Sequence, residues 1–545
     1  MKEFVLRIRN KQKEFDINAW ISNVYQKIPQ NVKLTFCWSL AFSLIIHGFM
    51  FLNKFVNVDS IVDLNHSWDS FWVTSLGRWL IPFIRAMRNY YTIPWFIGIS
   101  AISYLVISVC FVIFILKIKS KIYCILISFL MVSMPVLSVS FSFSYDADVY
   151  PLALLFSVSA VYFTQKYKHG YLLGAISILF SLALYQSYLG FSLGLFIILL
   201  IKYVLDEKKS IKFIIKKSSV YLSCVVIGII LYFISVQISL RIRGIVLDQY
   251  GGASTMGSDT LTMLPSALYT AIVDFVGFFG FFYDTGRFFY VSNFLRILYI
   301  VILITLVYLF VKIILKINKQ ANSTSVIRII LVTSLLMLFP ISLNITELMA
   351  PLSRRTILEV YQFLLAIILV FMLSEVYLSY SEFKIWKSKV IVIIVTFLIG
   401  FNWTLTTSTY YFRRHIFYER TFAFYNRVLA RIEEVEAFGE MPVIFVGTSP
   451  YYGMQGRHRF PTVRDRDYAQ FVGTAWLRPN ETFYLSVHRG HSFIDDYFGV
   501  ALPRASGELR LEIVETQDFL TMPVWPHRDS VRVINGAIVV KFSYH

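Results

Sequence analysis

The chain has 545 residues, 57% of them hydrophobic and 17% aromatic, with only 15% charged and a formal net charge of +18. That balance excludes an ordinary soluble protein, because apolar runs of about 20 residues recur and each is long enough to cross a hydrocarbon core roughly 30 Å thick. It also argues against nucleic-acid binding, since the positive charge sits in short loops between apolar runs and forms no basic stripe on one soluble domain.

The basic start MKEFVLRIRNKQK leads into a polar stretch, so no cleavable signal peptide is expected and the first apolar run should remain as a helix. Apolar length then predicts eleven spans: 33–53, 93–116, 122–142, 150–165, 170–186, 188–204, 219–239, 296–316, 327–345, 357–378 and 388–408. The fifth and sixth meet at Gln186 and Ser187, and 261–284 reads as a re-entrant or interfacial hairpin. Lysines cluster in alternate loops, for example Lys117, Lys119 and Lys121, or Lys208, Lys209, Lys212, Lys216 and Lys217. The positive-inside rule places those loops and the N-terminus in the cytoplasm, against anionic membrane lipids, and the C-terminus outside. Cys37, Cys110, Cys124 and Cys224 lie in apolar runs at no metal or disulfide spacing and read as small core residues.

Beyond residue 408 the composition changes, and Lys541 is the only lysine left. ERTFAFYNRVLARIEEVEAF has helical spacing, MPVIFVG reads as a buried strand, and ETFYLSV, LRLEIVE and AIVVKFSY read as further strands. The predicted organisation is a segment 1–32, a transmembrane part 33–411 and an outer α/β domain 412–545. The fold class is therefore an all-α polytopic bundle of about eleven helices with a C-terminal α/β domain.

Charged residues at the outer boundary carry the functional signal, because ionisable groups kept at a bilayer usually serve a cavity. The first outer loop holds Asp59, Asp63, His66, Asp69, Arg78, Arg85 and Arg88; the turn SFSYDADVYPL holds Asp146 and Asp148; APLSRRT supplies Arg354 and Arg355. The long region between the seventh and eighth spans adds Arg241, Arg243, Asp248, Asp274, Asp284 and Arg287. Carboxylates to take a proton from a hydroxyl, and guanidinium forks to hold a departing phosphate, suit transfer of a sugar from a lipid phosphate. No metal or other cofactor is called for. Arg85 and Arg88 read as cations reaching toward headgroups, Asp146 as a sugar ligand or a helix cap, and His458, His488, His491 and His527 as scattered surface residues. A flippase or transporter would keep its decisive charges near the midplane on broken helices.

The ordered set NVDSI, SLGRWL, SYDADVYPLAL, LYQSYLG and RRHIFYERTFAFYNRVLARIE followed by PVIFVG resembles the membrane glucosyltransferases of bacterial and phage O-antigen modification, the serotype-converting type II enzymes. The resemblance implies a GT-C-like bundle in the bacterial inner membrane. It implies glucose moved from undecaprenyl phosphate to an O-antigen hydroxyl of lipopolysaccharide on the periplasmic side, alongside a flippase and a donor synthase. Carried onto this chain, it makes Asp59 the first choice for the base, with Asp63 and Asp69 behind it. Arg78, Arg354 and Arg355 would hold the donor phosphate. Asp146 and Asp148 would bind sugar or acceptor, or one of them would be the base, and Tyr185 and Gln186 would bind sugar hydroxyls. An O-antigen ligase or polymerase would use similar lipid-phosphate chemistry.

Overall fold

The structure is a computed structural model, and it describes residues 22–23, 25–53, 70–250, 262–279, 293–318, 323–349, 357–378, 386–436, 438–447 and 483–542. Among them, nine helices are long and apolar enough to cross a membrane, or ten when one bent pair counts as a single span. The chain is a polytopic helical membrane protein. Ten of the eleven predicted spans correspond to these helices, and the remaining one, the fifth, falls short in length.

The bundle begins with α1 (Gln30–Leu52). The first outer loop contributes two short helices, α2 (Ser70–Ser75) and α3 (Ile81–Ala86). Then come α4 (Pro94–Leu116), the bent pair α5 (Lys121–Ser133) and α6 (Val136–Ser142), and α7 (Val149–Lys166). The next helices are α8 (Gly170–Leu184), α9 (Leu189–Leu205) and α10 (Ile211–Arg243). At 15 residues, α8 spans only about 22 Å at the usual rise, so the expected fifth span is shorter than a bilayer. It ends at Leu184, and the following 3-10 turn, Gln186–Tyr188, carries the chain back into α9. Helices α11 (Leu264–Phe278), α12 (Asn293–Asn318), α13 (Ser323–Leu343), α14 (Ile345–Met349) and α15 (Leu365–Leu378) follow, with a 3-10 segment Ile357–Leu364 entering α15. The expected hairpin 261–284 is a single 15-residue helix, α11, where it is described.

The third span is broken, by 43°, for a reason written in its sequence. Pro135 has no N–H to give the Met131 carbonyl four residues back, and bending also frees Val132. In a dry interior such carbonyls need other donors. Tyr361 Oη donates to Met131 O at 2.6 Å, and the His47 ring reaches Val132 O through Nε2 at 2.8 Å. Because a carbonyl only accepts, that contact fixes the proton on Nε2 and leaves Nδ1 to accept from Tyr411 Oη at 2.7 Å. The break is thereby tied to α1 and to the last helix, and it aims α6 at the turn that bears Asp146.

That last helix, α16 (Trp386–Glu433), is continuous for 48 residues, about 72 Å, far longer than a bilayer is thick. The expected eleventh span and the expected tail helix are one element, and residue 412 lies inside it. Its end meets a three-stranded sheet of order β1-β3-β2: β1 (Val443–Val446) pairs parallel with β3 (Ala537–Lys541), and β2 (Val531–Ile534) pairs antiparallel with β3. Asn535 and Gly536, both at positive φ, form the two-residue turn between β2 and β3. One face of the sheet, with Phe445, Ile538 and Val540, packs on Phe424, Val428 and Ile432 of α16. The other, with Ile444 and Val539, packs on Ile513 and Phe519.

Two expected strands are helices. ETFYLSV opens α17 (Phe483–Phe498), where Phe493 and Tyr497, four apart, stack at 4.7 Å as helical neighbours do. LRLEIVE lies in α18 (Gly507–Glu515), capped by Ser506 Oγ accepting from Leu509 N at 3.2 Å, with Arg510 and Ile513 buried on one face. Helix α19 (Gln517–Thr521) follows. Of the cysteines, Cys110, Cys124 and Cys224 are buried as expected, whereas Cys37 is exposed on α1.

Candidate active site

Asp59, Asp63 and Asp69, and likewise Arg354 and Arg355, lie outside the described residues. Arg78, Asp146, Asp148, Tyr185 and Gln186 are all placed, and the fold brings them to one end of the bundle.

Helices α2 and α3 lay the first outer loop against α8, α10 and the segment that follows α10. Trp79 Nε1 donates to Ser235 Oγ of α10 at 2.9 Å, Leu80 N donates to Ala183 O of α8 at 3.2 Å, and Asp248 N reaches Ser75 O at 3.0 Å. Between α2 and α3, Gly77 takes φ +77°, and a Cβ there would sit 2.4 Å from Tyr232 Oη, so both the backbone and the space demand glycine. That tight turn presents Arg78. Its guanidinium lies over the Tyr185 ring at 4.6 Å, and its Nε approaches Gln186 Oε1 at 3.4 Å. Gln186 is itself held, its Nε2 donating to Leu76 O at 2.8 Å and to Tyr232 Oη at 3.0 Å. Among the described residues no carboxylate pairs with Arg78.

Asp146 and Asp148 are differently engaged. Asp146 accepts from Arg85 through both oxygens, Nε to Oδ1 at 2.8 Å and Nη2 to Oδ2 at 2.6 Å. Asp148 Oδ2 accepts from Arg88 Nη1 at 2.7 Å, and Arg88 Nη2 also donates to the Tyr145 carbonyl. The sequence suggested headgroup-seeking arginines, but Arg85 is 1% exposed and Arg88 9%. The reason is geometric: each faces a carboxylate some sixty residues away, and a paired guanidinium can be buried where a lone one cannot. The alternative of a capping Asp146 also fails. Asp148, not Asp146, occupies the N-cap of α7, and its side chain makes no capping bond. Asp148 Oδ1, buried, has no hydrogen-bond partner among the described residues.

Aromatic rings connect the two arginine sites. Tyr185 meets Tyr150 at 5.2 Å, Tyr150 meets Phe143 at 6.4 Å, Phe143 meets Tyr145 at 6.4 Å, and the Arg85 guanidinium lies 5.2 Å from the Tyr145 ring centre. Tyr150 is within electrostatic reach of both Asp146 and Arg78. Elsewhere in the bundle Asp274, Asn344, Glu347 and Gln362 are also buried, and Asn344 Nδ2 donates to Ala271 O at 3.1 Å. Among the described residues no three His, Cys, Asp or Glu side chains converge as a metal site would need.

Sequence reasoning missed Tyr232 and Tyr150, and it singled out Arg85 and Arg88 but read them as reaching toward headgroups. Spacing gave a usable hint for the last two: cations three apart on one loop match acids two apart on the next. Chemically, the arrangement offers a cation that pairs with no carboxylate among the described residues, flanked by stacked tyrosines and a fixed amide.

No curated protein and no solved structure matches the chain. The family model described as Glucosyl transferase GtrII matches residues 48–373, more than half the chain, running from the end of α1 into α15 and taking in the first outer loop and the 144–148 turn. The chain thus belongs to the GtrII glucosyl transferase family, and it is a membrane glucosyltransferase.

Proposed function

We propose that this enzyme transfers glucose from undecaprenyl phosphate to a hydroxyl of an O-antigen repeat unit, with inversion, at the periplasmic face of the bacterial inner membrane. A carboxylate of the first outer loop, Asp59 before Asp63 or Asp69, takes the acceptor proton as the hydroxyl oxygen attacks the anomeric carbon. The bond from that carbon to the phosphate oxygen breaks, and the lipid phosphate leaves with the electron pair and an added negative charge. Arg78, with Arg354 and Arg355, holds that phosphate. Tyr185 and Gln186 present a ring face and an amide to the sugar, and Asp148 offers its second oxygen to a hydroxyl. The observation that carries this reading is Arg78 itself: a guanidinium stacked at 4.6 Å on Tyr185, with no carboxylate of its own among the described residues. A cation so arranged suits an anionic ligand, and a planar fork suits phosphate. The N-terminus and the lysine-rich loops face the cytoplasm in this reading, which puts the α16 extension and its sheet in the periplasm.

Purified protein incubated with polyprenyl-phosphate hexoses and isolated O-antigen should add one hexose to the glycan, from the glucose-linked donor. Absence of any increment with every donor would overturn the reading and favour lipid-sugar translocation.

A further inference from the structure

The α3 half of the first outer loop meets the 144–148 turn through charge. Arg85 lies in the last turn of α3 and Arg88 follows three residues on, so a single turn sets both guanidinium groups on one side of the loop. Opposite stand Asp146, which ends the 3-10 turn Ser144–Asp146, and Asp148, at the N-cap of α7. Each arginine has its own carboxylate, and Arg88 also lies 3.9 Å from Asp146 Oδ1, which links the two pairs into one network. The four side chains are 1%, 5%, 8% and 6% exposed. A fork-to-fork pair such as Arg85 with Asp146 fixes distance, plane and register together, unlike a single charged contact.

This loop also carries Arg78, seven residues before Arg85, and Asp59, Asp63 and Asp69 precede it on the same stretch. Main-chain and tryptophan contacts tie its earlier half to α8 and α10, whereas its later half has these ion pairs. We propose that Arg85, Arg88 and Asp146 are positioning residues for glucosyl transfer, forming with Asp148 a double latch that fixes the first outer loop against the turn opening α7. The inference rests on the reading that Arg78 and the loop carboxylates act on the donor and acceptor. It removes Asp146 from the sugar ligands and from the bases, because Arg85 holds both of its oxygens.

A cycle of neutral substitutions in the full-length protein separates positioning from contact. Arg85→Met leaves a buried carboxylate and Asp146→Leu a buried guanidinium, and each single change should lower kcat/KM by about 100-fold. The Arg85→Met/Asp146→Leu pair leaves no stranded charge and should return to within about tenfold of the parent. Arg85→Lys, which keeps the charge and loses the fork, should cost about tenfold. A double variant as inactive as Asp146→Leu would mean that Asp146 contacts substrate, and unchanged single variants would mean that the loop needs no latch; either overturns the proposal. A readout without activity uses Ser144→Cys, buried beside Asp146, in a chain whose four cysteines are replaced by alanine. A water-soluble maleimide should label the single variants about tenfold faster than the parent, and the double variant at the parent rate, as a stranded buried charge opens the interface. Equal labelling throughout overturns the latch. A parent chain that transfers no glucose would sink the proposed reaction, while the labelling cycle would still decide the latch.

Discussion

The two ends of the bundle use their charged side chains in opposite ways. At the lysine-rich end, charged side chains bind the main chain. Glu375 of α15 accepts from Lys119 N at 2.9 Å and Ser120 N at 2.7 Å, ahead of α5, and Lys202 Nζ donates to Leu116 O, the last residue of α4. Arg328 donates to the carbonyls of Val204, Asp206 and Lys209, closing the loop after α9. Helix ends leave exactly such backbone groups unsatisfied, so these charges act as caps that hold loops shut. At the other end, Arg85 and Arg88 reach carboxylates on a distant element, Arg88 adding the Tyr145 carbonyl, and Arg78 pairs with no carboxylate among the described residues. Burial alone does not separate a structural charge from a working one; the identity of its partner does.

The largest effect should come from the loop that precedes α2. Asp59→Asn should lower glucosyl transfer by about 1000-fold with the protein still inserted and folded, since it removes a general base without removing volume. Full activity would move the base to Asp63 or Asp69 and leave the contrast between the two ends intact. Next in size is Arg78→Ala, expected to cost about 100-fold in kcat/KM for the lipid donor, the scale seen when one donor to a developing anion is lost. Arg78→Lys should not restore it, because an ammonium on a flexible stem can reproduce neither the fork nor the stacking on Tyr185. Steady-state transfer with varied donor at saturating acceptor measures both, and an acceptor-specific defect would take Arg78 away from the phosphate.

Arg328→Met tests the other end. It removes the charged donor to three carbonyls at and just beyond the α9 terminus, and the loss should appear as about 2–3 kcal/mol of stability, the scale of a charged hydrogen bond made in a buried place. Activity per folded molecule should stay at the parental value. A thermal-shift measurement in detergent beside the transfer assay distinguishes the two, and a changed donor KM would erase the contrast drawn here.

The same contrast explains what could be read from sequence. Span positions were legible because apolar length is a local property: α4, α9 and α12 each declare themselves within some twenty residues. The short α8 and the continuous α16 were harder, since apolarity marks neither where an element stops short nor where it runs on past the bilayer. In the tail, LRLEIVE alternates well enough for a strand, yet Ser506 supplies a helix cap and Arg510 and Ile513 share a face. Arg78, Asp146 and Asp148 stood out as charges in an apolar chain, but what they do depends on partners the sequence does not place. Arg85 and Asp146 are 61 residues apart, and nothing local announces that they meet.

The finest test concerns Tyr232, a residue with no charge and no motif. Its hydroxyl accepts from Gln186 Nε2 at 3.0 Å, and Gln186 in turn meets Arg78. Tyr232→Phe keeps the ring and removes one net hydrogen bond, so a loss of about fivefold in kcat/KM is expected, about 1 kcal/mol at most. The hydroxyl also occupies the space a side chain on residue 77 would need. Gly77→Ala should therefore be worse than Tyr232→Phe in the parent, meeting both the clash and the strain of positive φ. In a Tyr232→Phe background it should lose the clash and keep only the backbone strain, about 1–2 kcal/mol for an alanine at that angle. If the two changes simply add, the Gly77 turn and the Gln186 amide are independent, and Arg78 is held by its stacking on Tyr185 alone.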